Sequence, residues 1–301
     1  MNLTVVIPTR NRAEQVERLV KALEDFNCEI ILVDDHSELP VVVDGVKIIR
    51  NPRRLGVGES RNIGCRQAKG DWVLFLDDDL APSPGLARFI DQLLPRLKTK
   101  DVVGFRFVGS NLIGGRPVEY RDTTFSRMLN ILFGVDISPN TGPSRFIPAP
   151  AMIFQSDFFS SLGGFDSRTF GGNGFRESSD LQWRARKMGG RLIYVENPFF
   201  QHLNIPGGQE KRHSEKDIYF MRNQTIFALR SGGIAALAMI AGFGAYMLVK
   251  GFRISGLVRG IALGLSVVLQ SQIVLSLKEP LNSTTTRSPM LKTCFSKRDS
   301  R

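Results

Sequence analysis

Strand and helix patterns alternate along the first hundred residues, and this alternation limits the fold more than any other feature of the chain. Four short apolar runs predict strands, at 5–7, 29–33, 46–49 and 72–76, and a helical pattern follows the first, the third and the fourth of them. Asn11 and Ser83 are predicted to cap two of the helices. Parallel neighbouring strands need a long crossover, usually a helix, so the pattern predicts βαβ units and a mostly parallel sheet.

The second hundred residues continue this pattern less regularly. Strands are predicted at 102–107, 149–154 and 192–195, and the run RESSDLQWRARKMGG predicts a helix. For most of the segment 109–148 the sequence predicts a loop. A loop of that length inside a compact domain is usually functional or hides a further element.

The formal net charge of +11 is unevenly distributed along the chain. From Gly232 to Arg301 there are nine Lys and Arg against two Asp and Glu, so most of the excess lies beside the longest apolar runs. Basic residues next to apolar helices favour anionic lipid headgroups. The sequence contains no helix-turn-helix, zinc-finger or RNP signature, so a membrane surface is the predicted partner and nucleic acid is not.

The cysteines and the N-terminal residues bear on the compartment. Cys28, Cys65 and Cys294 are widely spaced and predict neither a disulfide framework nor a zinc site. The opening MNLTVVIPTRN lacks the basic and long apolar regions of a signal peptide and predicts a first strand instead. We therefore expect a reduced catalytic domain that faces the cytoplasm.

Acidic residues follow two predicted strands and begin a later helix. They are Asp34 and Asp35, then Asp77, Asp78 and Asp79, and finally Glu177 and Asp180. Ligands of doubly wound sheets bind beyond the carboxyl ends of the strands. Three adjacent carboxylates at the end of a buried strand repel one another unless a cation lies among them. This predicts a Mg²⁺ or Mn²⁺ site completed by diphosphate oxygens, with a solvated Asp-rich turn as the alternative.

Five segments together resemble the family-2 glycosyltransferases, which have a GT-A, Rossmann-like fold. They are VVIPTRNR (5–12), IILVDDHS (30–37), LGVGESRNIGCRQAKGDWVLFLDDD (55–79), the strand, helix and GGFD block (149–166) and RESSDLQWRARKMGGRLIYV (176–195). The resemblance covers about residues 2–228. It implies an α/β fold with a mixed, mostly parallel sheet flanked by helices. It also implies an inverting, metal-dependent hexosyltransferase that uses a nucleotide-diphosphate sugar.

The resemblance also implies roles for residues at matching positions. The implied nucleotide-sugar-binding residues are Pro8, Thr9, Asn11, Asp35, Arg61 and Asp78. Among them, Asp35 would bind the base and Asp78 would lie near the ribose. The implied metal ligands are Asp77, Asp79 and His202, with Asp79 the more direct one. An ordinary polar loop residue is the alternative for His202.

The catalytic-base motif departs from the family pattern. Many members have an acid where this chain has Ser178, in the run Glu177-Ser178-Ser179-Asp180-Leu181. A serine is not a general base near neutral pH, so the role passes to Glu177 or Asp180, or an ionised phosphate acceptor makes it unnecessary. Both acids also suit a helix N-terminus through its dipole. We expect Glu177 to be the base.

The Gln-x-x-Arg-Trp motif of processive members is not found at Gln182-Trp183-Arg184. This favours transfer of a single sugar over synthesis and export of a polymer.

The composition changes at Ser231, after a predicted glycosyltransferase domain at 1–230. Two apolar runs follow: Gly232–Val249 is just long enough to cross a core of about 30 Å, and Gly260–Leu277 is softened by Gln270 and Gln272. If both crossed, the intervening Lys250, Arg253 and Arg259 would oppose the positive-inside rule. We therefore predict a membrane-associated apolar helical hairpin at 231–278, either interfacial or with a single crossing. A buried core hairpin is the alternative, and 279–301 predicts a basic, disordered tail.

These patterns predict a membrane-associated glycosyltransferase whose acceptor is a lipid-linked glycan or a polyprenyl phosphate. The alternatives are transfer to a soluble or surface glycan, and a catalytically silent nucleotide-sugar-binding scaffold.

Overall fold

The computed structural model of the chain describes residues 2–109, 112–113, 116–117, 141–171, 174–203, 216–249 and 251–278. The predicted loop at 109–148 falls largely outside these residues, and the predicted tail at 279–301 does so entirely. Cys294 lies in that tail.

The strands of the first half lie close to their predicted positions. They are β1 (Leu3–Thr9), β2 (Cys28–Asp34), β3 (Lys47–Arg50), β4 (Trp72–Leu76), β5 (Leu80–Pro82) and β6 (Asp101–Gly109). The later strands are β7 (Leu112–Ile113), β8 (Arg116–Pro117), β9 (Gly142–Ser144), β10 (Ala151–Gln155) and β11 (Arg191–His202). The sequence patterns did not predict β5, β7, β8 or β9.

Nine of these strands form one mixed sheet. Its order is β3-β2-β1-β4-β10-β6-β11-β5, with β9 also paired to β11, while β7 and β8 form a separate ribbon. The pairs β1 with β2, β1 with β4, β2 with β3 and β6 with β11 are parallel. Strand β10 is antiparallel to both β4 and β6. The predicted mixed α/β sheet flanked by helices is confirmed, with four parallel and four antiparallel strand pairs among the described residues.

The helices of the first 200 residues are α1 (Ala13–Ala22), α2 (Val57–Arg66), α3 (Leu86–Leu93), α4 (Ser156–Ser161) and α5 (Glu177–Lys187). They lie on both faces of the sheet, as β4 shows. Trp72, Leu74 and Leu76 belong to one apolar cluster with residues of α1 and α3. Val73 and Phe75 belong to the other, with residues of α4 and α5. A strand buried on both faces reads as a continuous apolar run, which is why β4 could be predicted residue for residue.

The two predicted side-chain caps are wrong. Helix α1 begins after Arg12, without a side-chain cap, and Asn11 has a positive φ of 55°. The Asn11 side chain instead accepts a hydrogen bond from the backbone N–H of Glu38. At α3 the N-cap is Gly85 in the left-handed region, and the Ser83 hydroxyl accepts from the backbone N–H of Phe199. In both cases the side chain bonds a distant backbone N–H group and does not cap the helix for which the local sequence favoured it.

Three helices follow the sheet: α6 (Lys216–Ser231), α7 (Ala236–Val249) and α8 (Ile254–Lys278), with a 3-10 turn at Gly233–Ala235. Helices α7 and α8 both pack against α6. Three glycines at four-residue intervals, Gly256, Gly260 and Gly264, let α8 lie against the backbone and side chains of α6. At Gly260 an added Cβ would stand 2.7 Å from the carbonyl oxygen of Ile218.

The three C-terminal helices therefore bury apolar side chains against one another. Met221, Phe227, Met239, Phe243 and Leu257 belong to a third apolar cluster that joins all three helices. Within the described helices, none combines the length and the apolar character that a membrane span requires. Two helices do occupy the predicted region, and their association as an apolar hairpin at a membrane stays a prediction.

Candidate active site

The loops that follow β1, β2 and β4 meet at one edge of the sheet, because these three strands are parallel neighbours. Pro8 and Thr9 are the last residues of β1, where Pro8 pairs with Val33 inside the sheet. The backbone N–H of Asn11 donates to the Ser37 hydroxyl at 2.9 Å. The β1 and β2 loops are thus fastened to each other beside the acidic residues.

The two aspartates after β2 have different environments. Asp34 accepts from the backbone N–H groups of Ser37 and Val41 and from Arg50. Burial favours its protonated form, but these hydrogen bonds and the guanidinium outweigh that effect and lower the pKa of Asp34. Asp34 therefore acts as an anionic support for its own loop.

Asp35 holds the loop that leads into α2. Its Oδ1 accepts from Asn51 at 2.9 Å and from the backbone N–H of Leu55 at 2.7 Å, and its Oδ2 accepts from Gly56 at 2.9 Å. Gly56 has a φ of 91°, a conformation that a side chain would strain, and it is the N-cap of α2. Since a carboxylate offers about four acceptor positions, Oδ2 keeps capacity for one ligand hydrogen bond.

Arg12 lies between two of the acids after β4. Its guanidinium is 2.6 Å from Asp78 Oδ1 and 3.1 Å from Asp79 Oδ2, and all three side chains are largely buried. The Thr9 hydroxyl donates to Asp78 at 2.8 Å. Burial raises the pKa of Asp78 to about 6, while Arg12 and Thr9 oppose a further rise. Arg12 thus supplies a resident positive charge to the cluster.

Arg61 partners the remaining acid, Asp77. It projects from α2, is 4% exposed, donates to Asp77, and packs over the ring of Phe165 at 5.3 Å. Its Nε is buried without a hydrogen-bond partner. Two arginines from different elements therefore face the three aspartates, an arrangement suited to the oxygens of a diphosphate.

His202 reaches this cluster through β5, the short strand that follows the aspartates. Strand β5 pairs antiparallel with the end of β11 and sets His202 opposite Leu80. The Nε2 of His202 then lies 3.5 Å from Asp79 Oδ1. Sequence reasoning placed His202 near the metal ligands only through the family resemblance, and β5 is the physical cause.

The described residues contain no preformed group of three or more His, Cys, Asp or Glu side chains that could hold a metal ion. Mg²⁺ and Mn²⁺ sites that bind nucleotides commonly use one or two carboxylates and take their other ligands from phosphate and water. Asp79 and His202, already adjacent, fit that requirement. The site suits a cation that binds together with a diphosphate.

Glu177 lies against the same helix that carries Arg61. A Cβ added at Gly58 would overlap the Glu177 carboxylate, so this group occupies the space that Gly58 leaves open. Glu177 is 3% exposed, and its Oε1 has no hydrogen-bond partner. Burial raises the pKa of Glu177 to about 7, against the attraction of Arg61. A carboxyl with such a pKa can accept a proton near neutral pH.

Both carboxylate oxygens of Asp180, the other predicted base, already accept hydrogen bonds from arginines. Oδ2 accepts from Arg184 at 2.8 Å and Oδ1 from Arg230 at 3.2 Å, and the side chain is completely buried. Arg230 also donates to Asp166. Asp180 thus belongs to an ion-pair network that joins α5 to α6, and this geometry favours Glu177 as the base.

The structure brings together Thr9, Arg61, the three aspartates and His202. Asp35 and Glu177 both lie at the N-terminal end of α2, where Asp35 bonds Leu55 and Gly56 and Glu177 lies against Gly58. Sequence reasoning gave no role to Arg12, although it lies in the motif VVIPTRNR, or to Arg230. Their acidic partners lie 66 and 50 residues away, respectively, so no local pattern signals these contacts.

The architecture and its acidic edge are those of one class of protein, the α/β proteins of the GT-A type with acids and arginines at the carboxyl ends of their parallel strands. A family description, glycosyl transferase family 2, matches residues 4–154, half of the chain. The chain belongs to this family.

Individual proteins that resemble this chain also bear the names of glycosyltransferases. The pre-mycofactocin glycosyltransferase of Mycobacterium tuberculosis is 31% identical over 202 residues, or 64% of this chain and 41% of that protein. The dolichol-phosphate mannosyltransferase of Pyrococcus furiosus is 31% identical over 132 residues, or 40% of this chain and 36% of that protein. The chain therefore spans about two fifths of these relatives.

A solved structure extends the likeness in fold. The mannosyltransferase of Pyrobaculum calidifontis, in complex with GDP-Man and Mn²⁺, superposes with a TM-score of 0.51 at 16% identity. The match covers 93% of this chain and 81% of that one.

Proposed function

We propose that this protein transfers a single sugar from a nucleotide-diphosphate sugar to a membrane-linked acceptor, with a divalent cation and with inversion at the anomeric carbon. One observation carries the proposal. Arg61 of α2 contacts Asp77, and one turn earlier on the same helix the buried Glu177 carboxylate lies against Gly58. The residues proposed for the diphosphate site and for the base therefore meet at one helix.

On the donor side, Arg12 and Arg61 would bind the diphosphate, and Asp35 would accept a hydrogen bond from the nucleotide base. Asp79 and His202, with Asp77 nearby, would hold Mg²⁺ or Mn²⁺. When bound, this cation supplies positive charge that stabilises the departing diphosphate. The Pyrobaculum mannosyltransferase, which was solved with GDP-Man and Mn²⁺, supports this part of the proposal.

On the acceptor side, Glu177 would act as general base. The acceptor oxygen forms a bond to the anomeric carbon while the bond from that carbon to the diphosphate oxygen breaks. The acceptor proton passes to a Glu177 oxygen, and the single in-line displacement inverts the configuration. The raised pKa of Glu177, about 7, suits this role for a hydroxyl acceptor.

The membrane-linked acceptor is supported by the surface of α7 and α8. Eight of the thirteen exposed large apolar side chains among the described residues lie between Leu237 and Leu269. Among these eight, Val249, Ile254 and Val258 are 85%, 67% and 62% exposed. Exposed cations, Arg253 and Arg259, lie beside them. Apolar side chains with neighbouring cations suit the interface of an anionic bilayer.

A relative's name also supports a lipid acceptor, since the Pyrococcus protein is a dolichol-phosphate mannosyltransferase. We further propose that the catalytic domain faces the cytoplasm. Cys28 and Cys65 are free thiols, as expected in a reducing compartment.

The first experiment identifies the donor. The full chain is incubated with a panel of UDP- and GDP-sugars, Mg²⁺ or Mn²⁺ and extracted lipid, and release of nucleoside diphosphate and the anomeric configuration of the product are measured. We expect metal-dependent turnover of one donor with inversion. Retention of configuration, or no binding of any nucleotide in the presence of Mn²⁺, would contradict the proposal.

The second experiment distinguishes the acceptor chemistries. Glu177→Gln should lower transfer to a hydroxyl acceptor by about 10² to 10⁴ while donor affinity stays nearly unchanged. Transfer to polyprenyl phosphate should fall far less, because an ionised phosphate has no proton to lose. An unchanged rate with a hydroxyl acceptor would remove Glu177 from the mechanism.

The third experiment tests the membrane surface. Val249→Glu combined with Val258→Glu should reduce flotation of the full chain with anionic phosphatidylglycerol vesicles. Leu39→Glu combined with Val42→Glu is the matched control, since these residues are 82% and 77% exposed but lie far along the chain from α7 and α8. Equal flotation of the two variants would contradict the assigned surface.

A further inference from the structure

The residues just before Glu177 are anchored in the C-terminal helices. The Phe175 ring packs edge-on against Phe220 of α6, with 4.9 Å between centroids. It also stacks on Phe243 of α7, with centroids 5.3 Å apart and an interplanar angle of 27°. Phe175 therefore ties the turn that precedes the proposed base to α6 and to α7, and the sequence patterns had assigned α7 to a separate segment.

Arg176 provides a second connection to the same helices. It is 8% exposed, and its Nε donates to Gln224 Oε1 of α6 at 2.7 Å. Its guanidinium lies over the rings of Phe175 and Phe227, at 4.9 and 5.3 Å. Gln224 also donates to the carbonyl of Met239 in α7, at 3.4 Å. One buried side chain thus joins the α5 N-terminus to α6 and, through Gln224, to α7.

The backbone at Arg176 makes this connection specific. Arg176 is the N-cap of α5 with a φ of 67°, in the left-handed region that side chains other than glycine seldom occupy. Such a conformation persists when surrounding contacts fix it, and here the contacts of Phe175 and Arg176 do so. The next residue is Glu177, so its direction depends on this turn.

One turn further along α5, the network of Asp180 ties the helix to α6 as well. Arg230, near the end of α6, donates to Asp180 and to Asp166. Glu177 therefore lies in the sequence between Arg176 and Asp180, and each of these two residues bonds a side chain of α6. Its carboxylate has little room to adapt, because Gly58 and Arg61 lie in front of it.

From this geometry we infer that Phe175 and Arg176 are positioning residues, which set the Glu177 carboxylate against α2 according to the packing of α6 and α7. The inference rests on the proposed role of Glu177 as general base and deepens it. The contacts described above for both residues lie with α6, with α7 and with each other. Their effect on catalysis passes through the direction of the neighbouring side chain, and the C-terminal helices become part of the acceptor side of the site.

The test is a double-mutant cycle between Arg176 and Glu177 in the full chain. Arg176→Lys keeps a long side chain but loses the planar group that lies over two rings and bonds Gln224. The assay is release of nucleoside diphosphate from the preferred donor with water as the acceptor. We expect the single variant to lower kcat by about 10-fold to 100-fold with little change in donor KM, because small misplacements of a catalytic group are costly.

In a Glu177→Gln background, adding Arg176→Lys should lower kcat by less than about threefold, since the group it positions is already absent. Phe175→Leu should behave in the same way and serves if the lysine variant does not fold. Leu257→Ala is the control: Leu257 is a buried member of the apolar cluster against which Phe175 packs, but it lies on α8. It should lower the Tm without changing kcat.

Multiplicative losses in the double variant would overturn the inference, because Arg176 would then act independently of Glu177. A loss of Tm without a loss of kcat in Arg176→Lys and Phe175→Leu would overturn it as well. If Glu177→Gln alone leaves turnover unchanged, the proposed base is wrong and the inference falls with it. A strong effect of Glu177→Gln with multiplicative losses refutes the positioning role only.

Discussion

Replacing Glu177 by Gln should stabilise the protein at alkaline pH while it reduces activity. Burial raises the pKa of Glu177 from an ordinary value of 4.5 to about 7. The charged groups that face it are Arg61 and Glu59 on α2, Asp166 in the loop before α5 and Asp180 on α5. Arg61 favours the ionised form, and the three acids oppose it.

The sign follows from proton binding. The folded state binds the Glu177 proton more tightly than the unfolded state, so this carboxyl group costs little stability below pH 4.5. The cost grows as the pH rises through the interval between 4.5 and 7, and it is complete above pH 7. A difference of about 2.5 pKa units corresponds to about 3 kcal/mol. Glutamine, which does not titrate, avoids this cost.

The assay is urea unfolding of both proteins at pH 5 and pH 8. We expect the free energy of unfolding of the variant, relative to the wild type, to increase by about 2 to 3 kcal/mol between these values. Glu14→Gln, at a side chain that is 82% exposed, is the control and should show no such change. A difference between variant and wild type that does not depend on pH would refute the buried, raised-pKa description of Glu177.

Three further predictions concern the donor side and α2. Asp79→Asn should abolish the Mn²⁺-dependent part of nucleoside diphosphate binding in calorimetry, with little loss of Tm, and unchanged metal-dependent binding would remove Asp79 from the site. Asp35→Ala should weaken binding of the free nucleotide, since it removes the proposed base contact and the hydrogen bonds from Leu55 and Gly56; normal nucleotide affinity with altered sugar preference would contradict this. Gly58→Ala should displace the Glu177 carboxylate and lower kcat by about 10² with donor affinity retained. An unchanged kcat for Gly58→Ala would show that the carboxylate does not need this position.

Sequence patterns predicted well those elements that are stabilised by local periodicity and by burial on both faces. The run Trp72–Leu76 is apolar throughout because the strand is covered on both sides, and the aspartates follow directly at its carboxyl end. The strand and its aspartates depend on a short stretch of chain, so a single sequence contains them. The proximity of His202 to Asp79 was implied only by the family resemblance, and the pairing of β5 with β11 causes it.

The caps show where local patterns fail. Asn11 and Ser83 each have the side chain that favours a helix N-cap, yet each bonds a distant backbone group instead. The free energy of a cap, about 1 kcal/mol, is close to that of any other hydrogen bond. Tertiary packing therefore decides between equivalent partners, and the sequence alone contains no preference.

The amino-acid sequence was enough to predict the mixed α/β sheet, the acidic edge of that sheet and the candidate base. The folded arrangement was needed to show that Arg12 lies between Asp78 and Asp79, that Gly58 makes room for Glu177, and that α6 and α7 anchor the turn before it. Distance along the chain accounts for this difference. Each of these contacts joins residues tens of positions apart, and their burial and charge arise only when the sheet brings separate loops and helices to one edge.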